Sequence, residues 1–158
     1  MKKINFKKGT SLIEIIIGLA IISTSFFSVI SAYHFFIKVA VRNASETKVS
    51  YLLEEGVEVT RFLRDSDWTS FSTLATSTDY HLVFDGGTWK ATTTNIYIDN
   101  RFERKFVLGD VYRNIDGDIS DVGTLDAGAR KIDVFVSFPS GNSTTTRSVN
   151  LYLTNLFQ

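Results

Sequence analysis

Between Ile15 and Tyr33 the chain carries no side chain that is charged near neutral pH. With Ser and Thr accommodated inside a helix, this stretch reaches roughly the 20 residues needed to cross a bilayer. No other feature limits the fold so strongly, because such a surface has to be covered by lipid or by other helices. Four lysines, Lys2, Lys3, Lys7 and Lys8, precede the run, and no comparable cluster follows residue 37. The positive-inside rule then predicts a cytoplasmic N-terminus, with everything after the helix on the outer side.

One acid interrupts the pattern. In "KKGTSLIEIIIGLAIIS", residues 7–23, Glu14 stands at the start of the apolar run. A secretory signal peptide would share the basic start, but its apolar part would be shorter and "SVISA" is a poor cleavage site. A plain anchor would explain the length and the lysines and leave the acid unexplained, since an ionised carboxylate in hydrocarbon costs about 2.5–3.5 kcal/mol on insertion scales. A cut between Gly9 and Thr10 supplies a reason. It creates an α-amino group at Thr10, four residues before Glu14, so that the acid of one helix can meet the amine of a staggered neighbour. Desolvation makes a mismatch expensive and selects the register.

With these residues in view, "KKGTSLIEIIIGLAII" resembles the N-terminal signature of type IV prepilins and pseudopilins: a short basic leader ending in Gly9, Glu14 fifth after the cut, then an apolar helix. The resemblance covers about 25 of the 158 residues. It implies cleavage between Gly9 and Thr10 by a membrane aspartyl prepilin peptidase, methylation of Thr10, and a role for Glu14 in assembly. It further implies other pilin subunits, an assembly platform with its ATPase and the cytoplasmic membrane as partners, with surfaces or DNA as further contacts. The chain also departs from the family: Thr10 replaces the usual Phe, Pro139 is the one proline, and there is no cysteine. The helix-kinking proline and the C-terminal disulfide of many major pilins are therefore missing, which leans toward a minor pilin or a pseudopilin.

Beyond the apolar run, Val49, Leu52, Leu53, Gly56, Val59, Phe62 and Leu63 recur at helical spacing, with Glu54, Glu55, Glu58 and Arg61 off the stripe. One helix over residues 10–65 is predicted, lipid-facing in its first half and a spine for a globular head in its second. "SFSTLATSTD" reads as a polar linker. Short runs rich in β-branched and aromatic residues follow, giving expected strands at 80–84, 89–92, 96–98, 104–112, 131–138 and 147–153. "DGG" suits a hairpin turn between the first two, and "PSGNS" turns between the last two. Ile132, Val134, Val136 and Phe138 should share a face with Val149, Leu151 and Leu153. The expected fold is α+β and pilin-like, with residues 1–9 as leader, 10–38 as the membrane and polymerisation half of the helix, and 39–158 as the head. An amphipathic half-helix would pack there on a C-terminal antiparallel sheet.

The 17 basic and 17 acidic side chains balance overall, but past the first nine residues the count is 13 against 17. No basic stripe with interleaved aromatics points to nucleic acid, and without cysteine neither a disulfide framework nor a Cys-ligated metal can form. His34 and His81 have no motif around them, and no nucleophile elbow, zinc spacing or phosphate loop occurs, so no enzyme and no cofactor are expected. Asn114, Asp116, Asp118 and Asp121 in "NIDGDISD" carry calcium-type oxygens, yet the glycine is misplaced for an EF-hand loop, and the site reads first as an Asp-Gly turn with no metal. Ser/Thr-rich stretches read as solvated loops. The function expected is that of a type IV pilus-type filament subunit, with a pseudopilin of a secretion or DNA-uptake system, or an unpolymerised membrane-anchored binding domain, as alternatives.

Overall fold

The computed structural model describes residues 12–141 and 143–156. Helix α1 runs over Leu12–Ser66 without a break, as expected where no proline removes a backbone donor. Three of the hydroxyls within its apolar half are satisfied by the helix itself. Thr24 Oγ1 donates to the Ile21 and Ala20 carbonyls at 2.9 and 3.0 Å, and Ser25 and Ser28 each donate to a carbonyl one turn back at 2.8 Å. These side chains therefore suit lipid despite their polarity. By length and composition α1 is long and apolar enough to cross a membrane. The chain divides between Ala44 and Ser45 into two compact units.

In the second unit, α1 presents Val49, Leu52, Gly56, Val59 and Thr60 as a buried stripe. It faces an antiparallel sheet of β1 (Tyr80–Asp85), β2 (Thr88–Thr92), β3 (Tyr97–Ile98), β4 (Phe102–Arg113), β5 (Ile119–Ser120), β6 (Thr124–Ser140) and β7 (Ser143–Thr154). The main order is β2-β1-β4-β6-β7, with β3 and β5 both on β4. This is the expected α+β arrangement of a helix on a C-terminal antiparallel sheet. Register fixes the faces: Phe106 lies opposite Val134 and Leu108 opposite Ile132, while Val134 and Ile132 lie opposite Val149 and Leu151 on β7. Tyr80 joins the same face beside Phe106, their rings stacked with centroids 5.6 Å apart. Phe106, Leu108, Ile132 and Val134, all fully buried, contribute about 1.5–3 kcal/mol each.

The helix approaches the sheet closely at Gly56, where a Cβ would lie 2.7 Å from Val134 Cγ1. Beside it Arg104 is buried on the inner face of β4, bonded through Nη1 to Glu55, with its guanidinium carbon 5.5 Å from the centre of the Trp89 ring. Farther back along α1, Arg101 donates to Ser45 Oγ at 2.9 Å, Arg147 grips Glu46 through two bonds of 3.1 and 2.8 Å, and Lys48 sits 3.3 Å from Asp99. The Glu46 carboxylate, mainly through these hydrogen bonds, raises the Arg147 pKa. Helix and sheet are thus joined by apolar packing in the middle and by ion pairs at the α1 end.

Four elements differ from the sequence expectation, one of them β7, which begins at Ser143, four residues earlier than expected. A short helix α2 (Trp68–Ser72) runs into the presumed linker, started by Asp67, whose carboxylate accepts from the Ser70 N–H at 3.2 Å and from the Ser70 hydroxyl. Those bonds lower the Asp67 pKa, and Phe71 on the helix is buried. Strand β6 begins at Thr124, seven residues earlier than expected, because polar "TLDAGAR" pairs with the far end of β4. Strand β5 was not foreseen at all. The "DGG" hairpin is as expected, with Gly86 and Gly87 both at positive φ between the paired Asp85 and Thr88.

The close approach makes a prediction. Gly56→Ala gains about 1 kcal/mol of helix propensity but forces Val134 aside at a cost of about 1–3 kcal/mol, so net destabilisation of about 1 kcal/mol is expected. Gly56→Leu should lose more, about 3 kcal/mol. Thermal unfolding of the detergent-solubilised chain, followed by the near-ultraviolet signal of Trp68 and Trp89, measures both.

Candidate functional site

Two regions carry residues whose placement folding alone does not explain. The first is the N-terminal half of α1. Glu14 lies in its first turn, where a carboxylate interacts favourably with the helix dipole. Around it Leu12, Ile13, Ile15, Ile16 and Ile17 all expose more than half their surface. The exposure continues through Phe26, Phe27, Phe35 and Phe36. A contiguous apolar surface of this kind marks an interaction site, here a helix surface that carries one acid at its start. Gly9 and Thr10, the predicted cleavage and methylation positions, lie outside the described residues.

The second region is an arm built from residues 113–126 at the end of the β4–β6 ladder. Asn114 organises it: its side-chain oxygen accepts from the N–H groups of Asp116 and Asp118 at 3.0 and 2.9 Å. Its backbone N–H donates to the Asp118 carbonyl at 3.0 Å. Arg113 locks the base, donating to the Gly117 carbonyl at 2.8 Å and to Asp126 at 2.6 Å. The Arg113 hydrogen bond lowers the Asp126 pKa. Gly123 is required, since φ is 145° and a Cβ would come within 2.1 Å of the Arg113 carbonyl oxygen. The arm is therefore held by its own hydrogen bonds, and Asn114 serves as a turn acceptor.

The arm carries unexpected apolar exposure. Ile115 is fully exposed, and Val122 and Leu125 are 76% and 51% exposed. Between arm and sheet lies an open cleft of about 490 Å³ bordered by Asp110, Tyr112, Asp121, Lys131 and Tyr152. Sequence reasoning treated this stretch as a possible ion site and passed over Ile115, Ile119 and Val122. Their alternation with Asp116, Asp118 and Asp121 was the available signal. No group of three or more His, Asp or Glu side chains suited to a metal occurs among the described residues.

The histidines stay apart from both regions. His34 is exposed on α1 beside the ring of Tyr33. His81 is buried in β1 opposite Thr92 and Lys105, and its Nδ1 has no hydrogen-bond partner. Comparison with protein families, with curated proteins and with solved structures finds no match to this chain.

The arm's construction predicts its response to mutation and pH. Asn114→Ala should speed amide exchange at Asp116 and Asp118 at least tenfold while moving the melting temperature little. Millimolar calcium should leave both readouts unchanged. Because the folded Asp126 pKa is lowered, its contribution is complete above the ordinary carboxylate pKa of about 3.9 and is lost as pH falls through the lower folded value. Arm exchange corrected for intrinsic rate should rise over that acid range. In Asp126→Asn it should be fast at neutral pH and insensitive to acid.

Proposed function

We propose that the chain is a type IV pilin-like structural subunit. It is inserted in the cytoplasmic membrane with its N-terminus inside, cut between Gly9 and Thr10, and built through the first half of α1 into a filament. The observation that carries this reading is the placement of Glu14, an acid in the first turn of a helix whose apolar surface is otherwise exposed. In lipid the acid is costly for a lone anchor. In a helix bundle it pairs with the new α-amino group of a neighbour and sets the axial register. The leader sequence "KKGT" before it supports the cut, and the helix-on-sheet head supports the class of architecture.

The subunit's work in this reading is mechanical. Helix packing holds the filament, while the sheet and its loops face neighbours or surroundings. Absence of proline from α1 and of cysteine from the chain favours a minor pilin or a pseudopilin over a major subunit. Prepilin peptidase, fellow subunits and an ATP-driven assembly platform are the partners this function requires.

Glu14→Ala separates assembly from anchoring. In the native host a filament subunit carrying it should remain in the membrane fraction at normal amount and fall at least tenfold in sheared extracellular material. A chain that only anchors a binding domain would show no change in distribution, and that result would end the proposal.

A further inference from the structure

We propose that the arm of residues 113–126 is a docking element for a second copy of this chain, received at the opposite end of that copy's head. The inference rests on the filament reading above and adds the head-to-head contact to it. Three observations carry it. First, the arm is preorganised: Asn114, Arg113 and Gly123 fix its backbone, so little ordering entropy opposes binding. Second, it spends that rigidity on presenting apolar side chains to solvent, with Ile115 before β5 fully exposed and Val122 after β5 exposed as well. This is the form of an interface anchor. Third, residues 114–125 contain three aspartates and no cation, so the receiving surface has to be basic.

That surface exists on the same chain. Lys48, Arg101 and Arg147 gather around one turn of α1, where Lys48 pairs with Asp99, Arg147 with Glu46 and Arg101 with the Ser45 hydroxyl, so the three cations and two acids leave one net positive charge. Tyr51, one turn beyond Lys48, is 66% exposed and offers an apolar floor. The two surfaces lie at opposite ends of the head, since β4 runs from Phe102 beside Val49 and Leu52 to Arg113 at the arm. At about 3.3 Å per residue that strand separates them by roughly 35–40 Å. A contact between opposite ends of identical subunits is heterologous and need not close, so it propagates along a filament.

The cysteine-free chain makes the test direct. Full-length Ile115→Cys/Tyr51→Cys is expressed in the native host and mildly oxidised, and both the membrane and sheared fractions are separated without reductant. Docking predicts a ladder of dimers, trimers and higher species, absent from either single variant and weakened at least fivefold by adding Asp118→Lys and Asp121→Lys. Both cysteine positions are exposed, and an unchanged near-ultraviolet spectrum confirms folding.

Monomer alone in both fractions overturns the proposal. So do dimers from Ile115→Cys by itself, which would mean tip-to-tip pairing, and adducts of Ile115→Cys with a different protein. A ladder that survives Glu14→Ala would uphold the docking and count against assembly through the helix. Loss of the ladder together with the filaments in that variant would uphold both. Filaments without a ladder would leave the filament reading standing and remove this one.

Discussion

At Gly56 the absence of a side chain lets α1 settle against Val134, and the rest of the head is arranged around that approach. With the helix seated there, Val49 and Leu52 pack on Phe102, Val136 and Phe138, while Val59 packs on Phe106, Ile132 and Leu153. Arg104 is the polar counterpart. Its aliphatic part lies along the glycine gap, its charge meets Glu55, and its plane rests near Trp89, which ties the β1–β2 hairpin to the helix. A buried arginine without that carboxylate would be destabilising, so the pair also fixes how the helix is rotated on the sheet.

The same helix solves a different problem before Ala44. There most of its side chains are apolar and exposed. The hydroxyls of Thr24, Ser25 and Ser28, costly in hydrocarbon if unpaired, are returned to the helix backbone. Glu14 places a carboxylate in the first turn of this apolar stretch. One secondary-structure element thus joins a membrane-compatible surface to the spine of a folded head.

The sequence was most informative where periodicity and burial coincide. The 3–4 spacing of Val49, Leu52, Gly56 and Val59 and the alternation of Ile132, Val134, Val136 and Phe138 gave helix, strands and the β6–β7 faces correctly. It was least informative where pairing, and not burial, makes the strand. The first residues of β6 are polar and Gly-containing, and they are extended because Tyr112 and Arg113 of β4 lie opposite them. Strand β5 is two residues held by the same pair. Asp67 as a cap for α2 was readable in principle, but the Ser/Thr content around it looked like linker. The arm's aspartates invited an ion reading, whereas the amide oxygen of Asn114 already closes the turn.

The central claim is that this helix is made to leave the membrane in the company of copies of itself, after a cut that creates a partner for Glu14. Intact-mass spectrometry of the chain recovered from the membrane and from sheared extracellular material tests it most directly. The account predicts a chain beginning at Thr10, one methyl group heavier than the bare sequence, in the sheared fraction. A chain that begins at Met1 and is found only in membranes would contradict it.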